Sequence, residues 1–463
     1  MTDRTPANAR LLSDDGLLND DRRSTGDRLP EKGSKKLLNA WAFYDWANSV
    51  YSLVISSAVF PIFYGAITLV KDKNGKVLDD TVRFLGTDFN NDTLISYVTA
   101  AAFLVVSFLS PFLSGIADYV GNKKAFLKFF CYLGAISCIG LYWFNLEHLW
   151  FGLLCYFTAL IGFWSSLVFY NSYLPDIAFP EQQDAISAKG YSLGYMGSVL
   201  LLVICLAMIL KFEAFGFGNA STPTRLSFVL TGLWWIGFSQ YTYYHLPKGN
   251  KKETLTKNVL FNGFKELKQI WKKIKTNLPL KRYLGAFFVY SMAVQTIMLI
   301  ATYFGIEELD WGDTDSTTGL IVSILLIQIV AILGAYVTSQ CSARFGNIRT
   351  LIALNLIWIA ICIFAYTIVT PLEFYFTAGF VGLVMGGTQA LSRSTYSKLL
   401  PENAVDTTSY FSFYDVSEKI GIVIGMLSYG FVAQVTGSIR YSIIFLGLFF
   451  LIGMLLLTRV DRV

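Results

Sequence analysis

The chain has 463 residues, of which 54% are hydrophobic, 16% aromatic and only 15% charged, with a net charge of +5 and a mean hydropathy of +0.50. Ordinary soluble domains carry about a quarter of their residues as charges to coat the surface. The balance here excludes a soluble enzyme, a nucleic-acid binder, a disordered scaffold and a disulfide-stapled secreted module.

Residues 1–36 are polar and charged, so no signal peptide precedes the first apolar run, and residues 1–38 are expected to form a disordered cytosolic tail. A bilayer crossing takes about 20 apolar residues. Twelve such runs follow, near 39–70, 92–115, 124–145, 148–170, 185–211, 224–246, 281–306, 316–340, 348–370, 372–397, 408–434 and 438–458. Pro61 in the first predicts a kink or tilt. Lysines and arginines gather in the tail, at Lys123, Lys124 and Lys128, at Arg344 and Arg349, and at Arg459 and Arg462, which predicts both termini on the cytosolic side of a cell membrane, the inner membrane if the source is bacterial. Between spans six and seven, residues 248–280 are strongly basic, with Val259, Leu260, Phe264, Leu267, Ile270, Trp271 and Ile274 at helical spacing. That pattern reads as an amphipathic helix on the anionic inner leaflet, with a solvated linker as the alternative.

The halves resemble each other at a shift of about 225 residues: Gly121 and Asn122 align with Gly346 and Asn347, and Pro175 with Pro401. Gly190, Gly194 and Gly197 in span five match Gly421 and Gly425 in span eleven, a spacing that lets helices approach closely. The expected fold is thus an all-α membrane protein of twelve transmembrane helices in two six-helix pseudo-symmetric bundles, 39–247 and 281–463, with a binding site between them.

The loop SGIADYVGNKK at Ser114–Lys124 resembles the signature of the major facilitator superfamily, although Ala343 stands where the second-half copy of Asp118 would map. FYDWANSVYSLVISSAVFP, FYNSYLPDIA and SAKGYSLGYMG are similar to the branch of the yeast vacuolar amino-acid effluxers of autophagy and their bacterial relatives. The resemblance implies alternating access by rocking of two bundles, a cavity lined by spans one, four, seven and ten, and Asp118 as a cytosolic lock near the start of span eleven. A carboxylate at a helix N-terminus gains about 0.3–1 kcal/mol from the dipole, which suits such a lock.

Ionisable side chains inside a bilayer mark function or a buried pair. Span eleven holds three on one helical face, Asp415, Glu418 and Lys419. An Asp415–Lys419 pair explains two of them and leaves Glu418 over, so these are candidate coupling or gating groups. Asp45 in span one either snorkels or faces a cavity together with Asn48, Tyr51 and Ser52. Arg393 in span ten either snorkels, gates with Asp45, or holds a substrate carboxylate with its fork. Trp164, Tyr290, Gln295 and Gln389 complete the candidate substrate contacts, the two amides because an amide in lipid needs a partner. The sequence contains no phosphate loop and no nucleophile elbow, and neither its six cysteines nor its two histidines have metal-ligand spacing. The expectation is therefore a non-enzyme without cofactor or metal. It is a monomer in contact with lipid that moves a small polar solute, amino-acid efflux by resemblance, with protons as the candidate coupling ion and no nucleic-acid partner. Uptake of a sugar, nucleoside or peptide fragment, or a non-transporting sensor or assembly factor on the same fold, are the alternatives.

Overall fold

The computed structural model describes residues 31–71, 77–248, 259–312, 316–401 and 404–460. Span one runs Lys35–Thr68, two Asn91–Val120, three Lys123–Gly140, four Leu149–Asn171, five Pro180–Leu210 and six Ser221–His245. A surface helix, Val259–Thr276, follows. Span seven is Leu278–Glu307, eight Ser316–Phe345, nine Asn347–Ala365, ten Pro371–Lys398, eleven Thr407–Thr436 and twelve Ile439–Leu457. Among the described helices, 11 are long and apolar enough to cross a membrane. Span six is less apolar because Ser227, Thr231, Ser239 and Thr242 interrupt it, yet all four are fully buried, and Thr242 Oγ1 donates to the Ala40 carbonyl at 2.7 Å.

The helices sort into two bundles. In the first, span one packs on five and six, three on four and six, and two on four. In the second, seven packs on eleven and twelve, nine on ten and twelve, and eight on ten. Each bundle has an apolar core, and that of the second takes in Val168 and Tyr195 of the first. The seam between them is made by five against eight and ten, and by eleven against two and four.

The glycine stripes set these distances. A Cβ on Gly194 would meet Ser49 Oγ at 2.5 Å, and one on Gly425 would meet Thr296 Oγ1 at 2.1 Å, so five lies against one and eleven against seven. The duplication extends to a feature that loop composition does not show. Arg225, in the first turn of span six, donates to the Tyr142 and Phe144 carbonyls at 2.7 and 2.6 Å and stacks on Phe63 of span one. Arg440, in the first turn of span twelve, donates to the Tyr366 and Ile368 carbonyls at 2.7 and 2.8 Å and stacks on Phe304 of span seven. Each arginine thus satisfies carbonyls left open where span three or nine ends.

Three features differ from the sequence-based expectation. Residues 31–38 are not a free tail: Leu37 is buried, Gly33 N donates to the Ile177 carbonyl at 2.7 Å and Lys32 Nζ to the Pro175 carbonyl at 2.8 Å, while residues 1–30 lie outside the described ones. Instead of a kink alone, the turns of span one before Pro61 are wound as π-helix over Tyr51–Val59, a local answer to the N–H that proline lacks. Two small hairpins, Val70–Lys71 with Val77–Asp79 and Thr81–Phe84 with Thr87–Asn90, lead into span two. In the second, Leu85 and Gly86 have φ of 49° and 84°, the positive pair that a tight two-residue hairpin loop requires.

Spans eight and ten approach closely at Gly334, where a Cβ would run into the Leu383 carbonyl oxygen. Gly334→Val is expected to destabilise the purified protein by about 1–3 kcal/mol, as overpacking does. Gly379→Ala, where a Cβ meets nothing within 4 Å, should leave the unfolding midpoint in place; thermal unfolding in detergent measures both.

Candidate substrate cavity and gate

The face carrying Lys35, Lys123, Lys398 and the surface helix is here the basic face. Side chains from both bundles meet just inside it. Arg393, 1% exposed, reaches out of span ten into the first bundle. Its Nη1 and Nη2 each donate to Asp45 Oδ2 at 3.2 Å, and Nη1 also donates to Asn171 Oδ1 at 3.2 Å. Nε donates to Ser187 Oγ at 2.9 Å and Nη2 to the Ser187 carbonyl at 3.0 Å. A guanidinium has five N–H donors, and these bonds engage every one. Its Cζ lies 4.2 Å from the Tyr191 ring centroid and 4.8 Å from that of Trp41. Tyr170 donates to Asp45 at 2.9 Å. A Cβ at Gly190 would stand 2.4 Å from Asp45 Oδ2, so the arrangement needs glycine there. Arg393 and Asp45 therefore do not snorkel; they pair with each other across the seam.

Two further carboxylates tie the bundles together at the same level or beyond. Asp118, at the end of span two, accepts from the backbone N–H groups of Ser409 at 2.6 Å and Thr408 at 3.3 Å, in the first turn of span eleven. The second half has Ala343 in the matching place, and the acid comes instead from span five. Asp184 accepts from Lys398 Nζ at 2.6 Å, Asn347 Nδ2 at 2.9 Å and Ser342 Oγ at 3.1 Å. Lys123 pairs with Asp176 and donates to Thr407 Oγ1 at 3.0 Å.

Above these seam contacts lies a cavity of about 270 Å³ between the bundles. Asp45, Asn48, Trp164, Gln295, Gln389, Arg393, Asp415 and Glu418 line it. Its floor is buried, with Asn48 1% exposed, whereas Ser52, Ser56 and Ser57 farther along span one are exposed. The chamber therefore widens away from the basic face. Gln389 accepts from Tyr195 at 2.9 Å, a bond from span five to span ten.

Lys419 is fully buried behind the wall, its Nζ 2.9 Å from Asp415 Oδ1 and 2.7 Å from Glu418 Oε2, and 3.6 Å from the Trp164 ring centroid. Gln295 Nε2 donates to Glu418 Oε1 at 2.6 Å. Glu418 is thus not left over: it shares the lysine with Asp415 and presents its outer oxygen to span seven. Asp415 Oδ2 has no hydrogen-bond partner.

Two expected contacts lie elsewhere. Tyr51 turns into the first bundle, 4.8 Å from Phe163 and 5.9 Å from Trp235 between ring centroids, because the cavity stripe on span one passes through Asn48, Ser49 and Ser52. Tyr290 hydrogen-bonds Ser392 Oγ at 2.7 Å inside the second bundle; five residues from Gln295, it points about 140° away around the helix. Conversely, Ser187, Tyr191 and Tyr195 of span five, and Asp184, were not singled out from the sequence. Their spacing of four between 187, 191 and 195 puts them on one face, a signal masked by the glycines between them.

The family model "Vacuole effluxer Atg22 like" matches residues 33–463. A Bacillus subtilis protein described as an uncharacterized MFS-type transporter, YxiO, is 32% identical over 427 residues, covering 92% of this chain and 94% of that one. Autophagy-related protein 22 of Saccharomyces cerevisiae is 23% identical over 518 residues, covering 96% and 95%. Among solved structures, the fucose:proton symporter FucP in its outward conformation superposes with a TM-score of 0.64 at 14% identity over 92% of this chain and 99% of that one. The proton:xylose symporter XylE superposes with a TM-score of 0.65 at 10% identity over 92% and 96%, and both likenesses concern the fold. With its two six-helix bundles and the match along nearly all of its length, the chain belongs to the Atg22-like family of major facilitator transporters.

Proposed function

We propose that this transporter exports a small zwitterionic solute of the amino-acid class by alternating access, in exchange for protons. The carrying observation is the cavity that the two bundles share, shut on the basic face by Arg393 and Asp45 and wider on the other. With the basic face cytosolic, as the positive-charge bias predicts, this is the outward-facing state of a protein in the cell membrane. Opening the other way requires Arg393, Asp118, Asp184 and Lys123 to release their partners together.

Charge counting supports the substrate class. Arg393 has no free donor in this state, and Lys419 is fully buried between two carboxylates. One lysine for two acids leaves an acceptor in surplus, and Glu418 is the more exposed of the two, its side chain 17% exposed against 7% for Asp415. Facing it are Lys419, Asp415, Gln295 and the phenol groups of Tyr191 and Tyr414. A substrate ammonium and a proton would compete for that surplus, which is the requirement for exchange. The solute's carboxylate finds a fork only when Arg393 leaves Asp45, as the basic face opens. A sensor that keeps the fold without moving solute has no need of a polar chamber walled by exposed serines.

Two outcomes test this reading. Glu418→Gln in proteoliposomes is expected to reduce pH-gradient-driven amino-acid flux to background while counterflow persists; unchanged gradient dependence refutes proton coupling through this residue. Arg393→Ala leaves Asp45 buried without its cation, a loss of about 3–5 kcal/mol in the closed arrangement, enough to invert a two-state ratio. Spin labels at the exposed positions Glu181 and Arg344, on opposite bundles at the basic face, should move from a short to a long distance in that variant. An unshifted distance distribution in folded protein would show that the pair is not the latch.

A further inference from the structure

The surface helix does not lie loose on the protein. It packs on span two of the first bundle and touches spans seven and eleven of the second. Ile270 and Ile274 are buried, Trp271 stacks on Phe413 of span eleven at 5.3 Å between centroids, and Lys273 pairs with Asp406. Beside these contacts runs a groove of about 940 Å³ between the helix, the first three turns of span seven and the second to fourth turns of span eleven. Its walls are apolar, with Leu284 and Phe288 from span seven, Phe413, Val416 and Ile420 from span eleven, and Trp271 from the helix. From Lys281 to Phe288 it follows span seven for about 10 Å along the helix axis.

The charges at its mouth are all of one sign. Lys268, Lys275 and Lys281 line it and are exposed, and among the described residues that line it none is acidic. Lys275 Nζ lies 5.1 Å from the Trp271 ring centroid, and among the described residues none of the three has a salt-bridge partner. Gly285 sits in the wall with open space before it: a Cβ there would meet nothing within 4 Å. A trough of hydrocarbon-lined wall that starts under three cations, at the depth where a membrane-spanning helix begins, has the two recognition elements of one molecule class.

We infer that this groove seats an anionic phospholipid, its phosphate held by Lys268, Lys275 and Lys281 and an acyl chain laid against Phe288 and Ile420. The seat is composite, since the helix that forms one wall also rests on span two, so the lipid joins the closed basic face as a third element. This inference does not depend on the identity of the transported solute.

Full-length protein in detergent, titrated with phosphatidylglycerol or phosphatidylcholine and followed by native mass spectrometry and thermal unfolding, tests it. One phosphatidylglycerol should be retained in preference to phosphatidylcholine and should raise the unfolding midpoint by mass action. Lys275→Gln with Lys281→Gln should weaken retention about tenfold or more, since each lysine near an anionic surface contributes about a fivefold factor. The equally discharged control, Lys265→Gln with Lys272→Gln, whose lysines do not line the groove, should retain lipid as the parent does. Gly285→Leu keeps every charge and fills the trough, and should lose retention while its lipid-free unfolding midpoint matches the parent. Equal loss in both lysine pairs would reduce the site to a diffuse positive surface. Undiminished binding to Gly285→Leu, equal retention of phosphatidylcholine, or equal binding of glycerol phosphate without chains would each overturn the seat.

Discussion

A guanidinium buried in the seam organises this molecule. Arg393 starts in the second bundle, and each of its named hydrogen-bond partners belongs to the first. Such a group holds its position only if all its donors are engaged, because a buried charge without partners is far more costly than a lost neutral hydrogen bond. The requirement propagates outward. Asp45 must face the seam, Gly190 must lack a side chain, Ser187 must offer both its hydroxyl and its carbonyl, and Tyr191 must set its ring against the cation. The floor of the cavity is therefore a consequence of satisfying one arginine.

Gene duplication explains what is symmetric here, and electrostatics explains what is not. The outer-end arginines, Arg225 and Arg440, close the same carbonyls and stack on the same span of their own halves. On the basic face the copies diverge. In the first half the acid ends span two and uses the free N–H groups of span eleven, where the helix dipole favours an anion. At the symmetry-related contact, where the end of span eight meets the start of span five, the acid sits on span five, again in the first half, and takes a lysine and an asparagine of the second half instead. The place of a carboxylate in the seam is kept while the element supplying it has changed, so Ala343 removes a residue from the motif without removing the tie.

Much of this was legible in the chain because a bilayer narrows the choices. Span number, bundle division and the close pairs marked by Gly194 and Gly425 follow from apolar length and small-residue spacing. The charged triplet of span eleven and the pair Asp45 and Arg393 stood out because charges in apolar runs must have a reason. What failed was azimuth and partner choice. Tyr51 opens a π-helical stretch, and Tyr290 is most of a half-turn away from Gln295, so a tyrosine close in sequence to a cavity residue belongs here to a core. The roles of Ser187, Tyr191 and Asp184 come from a second bundle whose position no local pattern encodes. Residues 31–38 read as tail because 1–36 are polar and charged, although Leu37 and Leu38 already bury themselves at the start of the helix.

The polar character of the latch has a thermodynamic consequence. A seam closed by well-packed apolar side chains would gain about 25 cal/mol for each Å² removed from water, and would have to lose all of it to open. A seam closed by ion pairs and capped N–H groups gains little net, because what the partners recover from one another roughly matches what they gave up in leaving water. When the basic face parts, Arg393, Asp118, Asp184 and Lys398 would each meet water again instead of an empty apolar surface. The two arrangements then differ by the few kcal/mol that a bound solute can redirect. A single defect in the latch is nevertheless severe, since it strands a charge in the closed state alone. The same buried pairs thus make the seam weak as glue and strong as a criterion for which state the protein occupies.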